Sequence, residues 1–417
     1  MNKISIIRWD SQNAEKCYSR ILKGIKEGSW IELLSPSSKE SNLSGIELPK
    51  GPGFLIKGGG TAGGGYKCLQ PCSNLTQSAI ATGSWLKEQA INPEKCTLIN
   101  TLPINHVSGL MPWWRSRVWG AKYNWIPPSL LKCPDDLEKS CREYFINSDN
   151  PVLISLVPTQ LQRLIYNQDG IKWLKSFKLI WIGGASLSEE IADHARKENI
   201  RLAPCYGTTE TAAMVTALKP DDFLSGRNDS GNPLKDISLK VDSDNCLLIK
   251  TKRLAINKYK EGKLKKLSNR SGWWKSGDIA EIINIESSYI LKIKGRIDSA
   301  INSGGETIFP ETLERNLLKK IQSENIPIKN ILFVPIKDIE WGARIIVIFK
   351  FNEEIVYLNK KNIIHTLKNL VKDWEPAEKP IAWYECYDLI ENEIGKWDRK
   401  KWLHWTINKL KKTKINI

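Results

Sequence analysis

Between residues 53 and 206, short apolar runs alternate with helix-like stretches, and this alternation restricts the fold more than any other feature. The runs are G-F-L-I-K (Gly53 to Lys57), T-L-I-N-T-L (97–102), V-L-I-S-L-V (152–157), K-L-I-W-I (178–182) and I-R-L-A-P-C-Y (200–206). Runs of this length read as strands, and near-continuous apolarity means that both faces need cover. A helical pattern, T-Q-L-Q-R-L-I-Y, follows the third run, and S-L-S-E-E-I-A-D-H-A-R-K follows the fourth after Gly183 and Gly184. In the latter, Ser186 and Glu189 have capping-box spacing, which predicts a helix start. Strands that alternate with helices build an α/β layer around a mostly parallel sheet.

The pattern changes twice further on. Between 226 and 295 it becomes short strands and turns (I-S-L-K-V, C-L-L-I-K, Y-I-L-K-I), which predicts a small β-rich subdomain. After Asp298, N-I-L-F-V-P-I, A-R-I-I-V-I-F and I-A-W-Y-E-C-Y read as strands, and I-I-H-T-L-K-N-L-V and D-R-K-K-W-L-H-W-T-I read as helices. The predicted class is therefore α/β. Residues 1–297 form a large N-terminal domain of layered subdomains, and 298–417 form a small α+β C-terminal domain. The first 50 residues are weakly patterned. A chain of 417 residues is too long for one core, which agrees with two domains.

Charge and cysteine content narrow the functions. The net charge is +16, from 62 basic and 46 acidic residues, and it suits anionic partners. The basic residues are scattered, with denser runs at 258–266 and 396–414, and lack the aromatic spacing of nucleic-acid motifs, so nucleic acid is not expected as a partner. The nine cysteines are irregularly spaced and form no zinc pattern, which fits a reducing, cytoplasmic setting. No apolar run approaches the length of a membrane span, so no integral membrane segment is expected. The oligomeric state is left open, a homo-oligomer included.

Five segments carry chemistry. K-G-G-G-T-A-G-G-G-Y-K (Lys57 to Lys67) holds six glycines in eight positions after a strand. Backbone N–H groups at Gly60, Gly63 and Gly64 can approach phosphates closely, and Thr61 adds a hydroxyl. The loop lacks the G-K-S/T ending of a Walker A motif. N-H-V-S-G-L places His106 and Ser108 just after a strand, where α/β proteins locate ligands. Arg115, seven residues beyond Ser108, shares its face if the segment is helical, and can fork a carboxylate. Y-G-T-T-E (Tyr206, Gly207, Thr208, Thr209, Glu210) offers a ring for a purine, hydroxyls for phosphate, and a carboxylate for Mg²⁺. W-W-K-S-G-D and G-R-I-D-S-A-I-N-S-G-G-E-T-I-F-P supply Asp278 for a ribose diol, Arg296, Asp298, a turn at Gly304 and Gly305, and Pro310 at a helix start. Near the C-terminus, Lys396 follows a glycine and offers a point charge on a flexible stem.

In this order, the segments resemble the acyl-adenylate-forming (AMP-binding) superfamily over roughly residues 53–400. The resemblance implies an acid–thiol ligase with ATP, Mg²⁺ and coenzyme A, the last as a substrate. Thr61 and its neighbouring glycines would hold pyrophosphate. Gly183, Gly184 and Ala185 would line the adenine and acyl pocket, with Tyr206 against adenine. Thr209 would contact the α-phosphate, and Glu210 would hold Mg²⁺. Asp278 and Arg296 would grip the ribose, and Lys396 would promote adenylation. Asp298 would be the hinge of a mobile small domain, whose rotation brings Gly304 and Gly305 to the thiol tunnel. Within the superfamily, L-P-I-N-H-V-S-G-L with Arg115, and V-P-T-Q-L-Q-R-L, are most like the o-succinylbenzoate–CoA ligases of menaquinone and phylloquinone synthesis. Arg115 would then meet a second carboxylate of an aromatic substrate. Another aryl- or acyl-CoA ligase, or a non-catalytic binding protein that keeps the fold, remains open. The glycine-rich loop departs from the family pattern: it is shorter, has no proline, and carries Gly64 and Gly65 where hydroxyl residues are expected.

Overall fold

The computed structural model describes residues 3–36, 38–43, 46–58, 66–137, 139, 141, 150–285, 288–297, 299–352, 360–392 and 396–413. Its centre is a seven-stranded sheet. Strands Lys122–Trp125, Thr97–Asn100, Val152–Leu156, Leu179–Ile182 and Leu202–Thr208 lie parallel in that spatial order. Ala213–Ala217 and Asn232–Pro233 continue the sheet antiparallel. Four of the five apolar runs of the sequence thus fall side by side. They are buried from both faces, with helices Pro158–Ile165 and Glu189–Lys197 among the cover of one face. The second of these helices is capped by Ser188, whose side chain accepts from the Ile191 N–H, rather than by Ser186 as the spacing suggested. Serine at 188 stands next to the first helical residue, where its oxygen meets an unpaired N–H.

The fifth run, Gly53–Lys57, belongs to another sheet of six strands. It pairs parallel with Trp30–Leu34 and antiparallel with Lys67–Pro71. Ile4–Arg8 and the hairpin Asn257–Lys260/Lys263–Lys266 complete the sheet. The weakly patterned first 50 residues therefore supply two strands and the helix Ala14–Lys26.

The expected β-rich stretch is a four-stranded antiparallel sheet, Ser238–Val241, Cys246–Lys250, Trp273–Ile285 and Ser288–Arg296. Beyond it, Ile301–Ser303 and Glu306–Ile308 form a hairpin, and helix Pro310–Ser323 begins at its proline. A three-stranded sheet (Ile328–Asp338, Gly342–Phe351, Ala382–Glu385) packs with helices Lys360–Leu370 and Arg399–Thr413. This α+β unit has its own apolar core, separate from those of the preceding sheets. Among the described residues, no helix is long and apolar enough to cross a membrane.

Candidate active site

Strand Leu202–Thr208 ends in the short turn Thr209–Thr211, and the surrounding residues hold that turn rigidly. The Gln70 amide donates to the carbonyls of Thr209 (2.7 Å) and Glu210 (3.0 Å). The Ala255 N–H also donates to the Glu210 carbonyl, at 2.7 Å. Arg253, whose side chain is 0% exposed, donates to the carbonyls of Thr211 and Met214, both at 2.6 Å, and its Nε reaches Asp236, also at 2.6 Å. Charge-assisted bonds of this kind are about twice as strong as neutral ones. Nothing in the spacing of the sequence singles out Arg253, because its partners, two backbone carbonyls, Ser78 and Asp236, are scattered along the chain. Thr209 Oγ1 donates to the Lys57 carbonyl at 3.3 Å, which ties the turn to the start of the glycine-rich loop. Gly207 runs so close to Ala213 that a Cβ there would lie 2.4 Å from the Ala213 carbonyl oxygen.

Asp278 and Arg296 face one another across an antiparallel pair, as register partners. Arg296 Nη1 donates to Asp278 Oδ1 at 3.0 Å, and the Tyr206 hydroxyl donates to Asp278 Oδ2 at 2.5 Å. Burial, followed by the charge of Asp278, raises the Tyr206 phenol well above its ordinary range, so it stays protonated.

Lys396 enters this cluster from the small unit, 100 residues beyond Arg296. Burial lowers its pKa, and the Arg296 charge lowers it further, while Glu210 and Asp278 oppose both. Lys396 therefore shares one electrostatic environment with three groups of the large unit. His106 is drawn into the same environment. Burial, then Lys57 and Lys396, push its pKa down to about 4, so its ring is neutral near pH 7.

His106 stands in extended conformation before helix Val107–Trp119, and Ser108 lies in the first turn of that helix. Buried Asn100 positions this helix start: its amide donates to the carbonyls of Leu102 (3.1 Å) and Gly109 (3.0 Å). Arg115, on the next turns of the helix, is only 3% exposed. Its guanidinium sits 5.1 Å from the Trp181 ring centroid. Its Nε has no hydrogen-bond partner, and no carboxylate pairs with it among the described residues. Burial brings its pKa down to about 10. The neighbouring wall is Cys205, whose sulfur would be 3.0 Å from a Cβ at Gly183. Gly184 follows with a positive φ of 89°, and Ala185 is exposed.

The structure thus brings Tyr206, Thr209, Glu210, Asp278, Arg296, Lys396 and His106 into one neighbourhood, with Arg115 below Trp181 and Cys205. Gly304 and Gly305 lie elsewhere. They turn the hairpin of the small unit, and the Gly304 N–H donates to the Trp341 carbonyl at 3.0 Å. Gly60, Thr61, Gly63, Gly64 and Asp298 lie outside the described residues. Lys67, whose charge at the end of the glycine-rich loop could have served a phosphate, instead pairs with the buried carboxylate of Glu32.

A family model described as AMP-binding enzyme matches residues 70–249. Over that span the chain is similar to the AMP-binding enzymes. The matched span carries His106, Arg115, Gly183 and the Tyr206–Glu210 turn. Asp278, Arg296 and Lys396 lie beyond it and stand on the geometry. The chain is 29% identical to the 2-succinylbenzoate–CoA ligase of Escherichia coli K12 over 307 residues, which is 73% of this chain and 59% of that enzyme. It is 24% identical to the 2-succinylbenzoate–CoA ligase of Enterococcus faecalis, over 89% of this chain and 74% of that one. The chain spans about three fifths of the length of the Escherichia coli relative. An o-succinylbenzoate CoA synthetase from Bacillus subtilis, solved with its acyl-adenylate intermediate, superposes with a TM-score of 0.75 at 19% identity, covering 96% of this chain and 88% of that one. The same enzyme solved with ATP and a magnesium ion gives 0.70 at 18% identity, covering 96% and 89%. The fold of these structures, a large N-terminal part with a small C-terminal one, is therefore the fold of this chain.

Proposed function

We propose that this chain is an ATP-dependent acid–CoA ligase that works through an acyl-adenylate, with o-succinylbenzoate as the acid, in menaquinone or phylloquinone synthesis. The observation that carries the reading is the convergence of Lys396 with Glu210, Asp278 and Arg296, drawn from separate segments into one site. Lys396 and Arg296, two half-buried cations with Glu210 and Asp278 beside them, suit a polyanionic ligand.

In the first half-reaction, an oxygen of the substrate carboxylate attacks the α-phosphorus of ATP. The bond from that phosphorus to the bridging oxygen breaks, and pyrophosphate leaves. Lys396 and Arg296 place positive charge where negative charge gathers on the α-phosphate and the carboxylate. Thr209 offers a hydroxyl beside them. Asp278, held by Arg296 and Tyr206, presents acceptors suited to a ribose diol. In the second half-reaction, a thiol loses its proton and its sulfur attacks the acyl carbon; the bond from that carbon to the bridging anhydride oxygen breaks, and AMP leaves with that oxygen. We assign that step to a second arrangement, in which the small unit turns about Asp298 and Gly304 and Gly305 take the place of Lys396.

Among the described residues, no cluster of three or more ligating side chains could cage a metal ion. Mg²⁺ is commonly held by one or two carboxylates plus substrate phosphates, so a single buried Glu210 suits it. When bound, the ion neutralises phosphate charge. The acid is assigned from Arg115: a buried guanidinium with no carboxylate paired to it among the described residues fits the second carboxylate of an aromatic diacid. All nine cysteines are free, which agrees with a cytoplasmic setting. The test is a panel of carboxylic acids with ATP, Mg²⁺ and CoA. AMP and pyrophosphate should form with o-succinylbenzoate. If that acid yields none while another does, the substrate assignment fails and the ligase reading survives.

A further inference from the structure

Tyr66 has no part in the roles above. It closes the glycine-rich loop directly before Lys67. Its hydroxyl donates to Oε1 of Glu210, the carboxylate assigned to the metal-bound nucleotide. The ring is seated from two sides. A Cβ at Gly58 would lie 2.4 Å from it, so the chain passes against its face, and Lys258 Nζ is 5.4 Å above its centroid. The Gly58 N–H also donates to the Tyr66 carbonyl at 2.9 Å, which pins the base of the loop. Lys67, next in the chain, is locked to Glu32. Tyr66 therefore points into the site from a rigid base.

Glu210 needs such a partner. Gln70, Ala255 and Arg253 hold its backbone and its turn, yet they leave the side-chain torsions free. The residue is 3% exposed, so water does little to orient the carboxylate. Among the described residues, the Cys68 thiol is its side-chain partner besides Tyr66, and a thiol is a weak donor.

We infer that Tyr66 is a positioning residue, which holds the Glu210 carboxylate in the orientation that a metal–nucleotide complex meets. This rests on the ligase reading of the site. The loop of this chain has few hydroxyls, and Tyr66 acts through Glu210 instead of touching phosphate. Partners that orient a ligating carboxylate are typically worth ten- to a hundredfold in metal affinity.

The test uses the full chain, without the acid. Binding of Mn²⁺ in the presence of ATP is followed by electron paramagnetic resonance, and ATP binding by calorimetry. Wild type, Tyr66→Phe, Glu210→Gln and the double variant are compared. Tyr66→Phe keeps the ring against Gly58 and Lys258 and removes only the hydroxyl, and its melting temperature reports whether the fold is intact. Mn²⁺ affinity should fall about ten- to a hundredfold in Tyr66→Phe, with no further loss when the change is added to Glu210→Gln. An unchanged or tightened Mn²⁺ affinity in Tyr66→Phe would overturn the inference. So would an equal loss in the Glu210→Gln background, which would make Tyr66 merely structural. If wild type binds no Mn²⁺ and no ATP, the ligase reading itself fails.

Discussion

Replacing Arg115 with Met should weaken the substrate without weakening the fold. The guanidinium is almost wholly buried, its Nε is unpartnered, and no carboxylate balances its charge among the described residues. Burial brings its pKa down to about 10, which corresponds to about 3 kcal/mol against the charged form. The Trp181 face returns roughly 1–2 kcal/mol of cation–π attraction. In the absence of substrate, the charge therefore leaves a net cost on the order of 1–2 kcal/mol, and Met fills a similar volume without it. The melting temperature of Arg115→Met should accordingly equal or exceed that of wild type. The substrate side moves the other way. Truncating one partner of a buried, hydrogen-bonded charge pair costs about 2–5 kcal/mol, or at least thirtyfold in affinity for the acid. Calorimetry with o-succinylbenzoate in the presence of ATP analogues measures the second effect, and a thermal melt measures the first. A variant that melts several degrees lower but binds the acid normally would refute the assignment and make Arg115 a structural residue.

Four further outcomes follow from the same geometry. Lys396→Ala should slow adenylation by about 10²–10³, the usual cost of losing a charge-stabilising donor, and should spare thioester formation from supplied acyl-adenylate; equal loss in both would count against two arrangements of the small unit. Because burial and Arg296 lower the Lys396 pKa, the alkaline limb of the adenylation profile should fall below the ordinary lysine range and vanish in that variant. His106 has a folded pKa of about 4 against an ordinary 6.5, so the unfolded chain takes up its proton first as pH falls. Stability should decline across that window, and melting temperatures at pH 7 and 5 should converge in His106→Gln. Gly304→Ala places a Cβ 2.6 Å from the Trp341 ring at a φ of 61°, so CoA-dependent AMP release should slow while pyrophosphate exchange persists.

Much of this was legible in the residues. The runs 97–102, 152–157, 178–182 and 200–206 declare themselves because strands covered on both faces have little room for polar residues. Trp30–Leu34 escapes that reading because Glu32 interrupts it, and its partner Lys67 lies 35 residues away in sequence. The helix Ala14–Lys26 is similarly obscured by Lys and Glu on its exposed side and by Gly24. Asp278, Arg296, Glu210 and Lys396 could be found because their neighbouring glycines and spacing form motifs. Arg253 and Tyr66 could not. The first serves backbone carbonyls brought near by the sheet, and the second reaches a carboxylate 144 residues on. Pairings across such distances arise from topology, and no local pattern announces them.

The most direct measurement is ATP–pyrophosphate exchange by the purified chain with Mg²⁺ and o-succinylbenzoate, repeated with Lys396→Ala. Exchange should require the acid, and it should drop by about two orders of magnitude or more in the variant. Exchange with no acid present, or none with any carboxylate, would contradict the proposal that Lys396, Glu210, Asp278 and Arg296 form an adenylate.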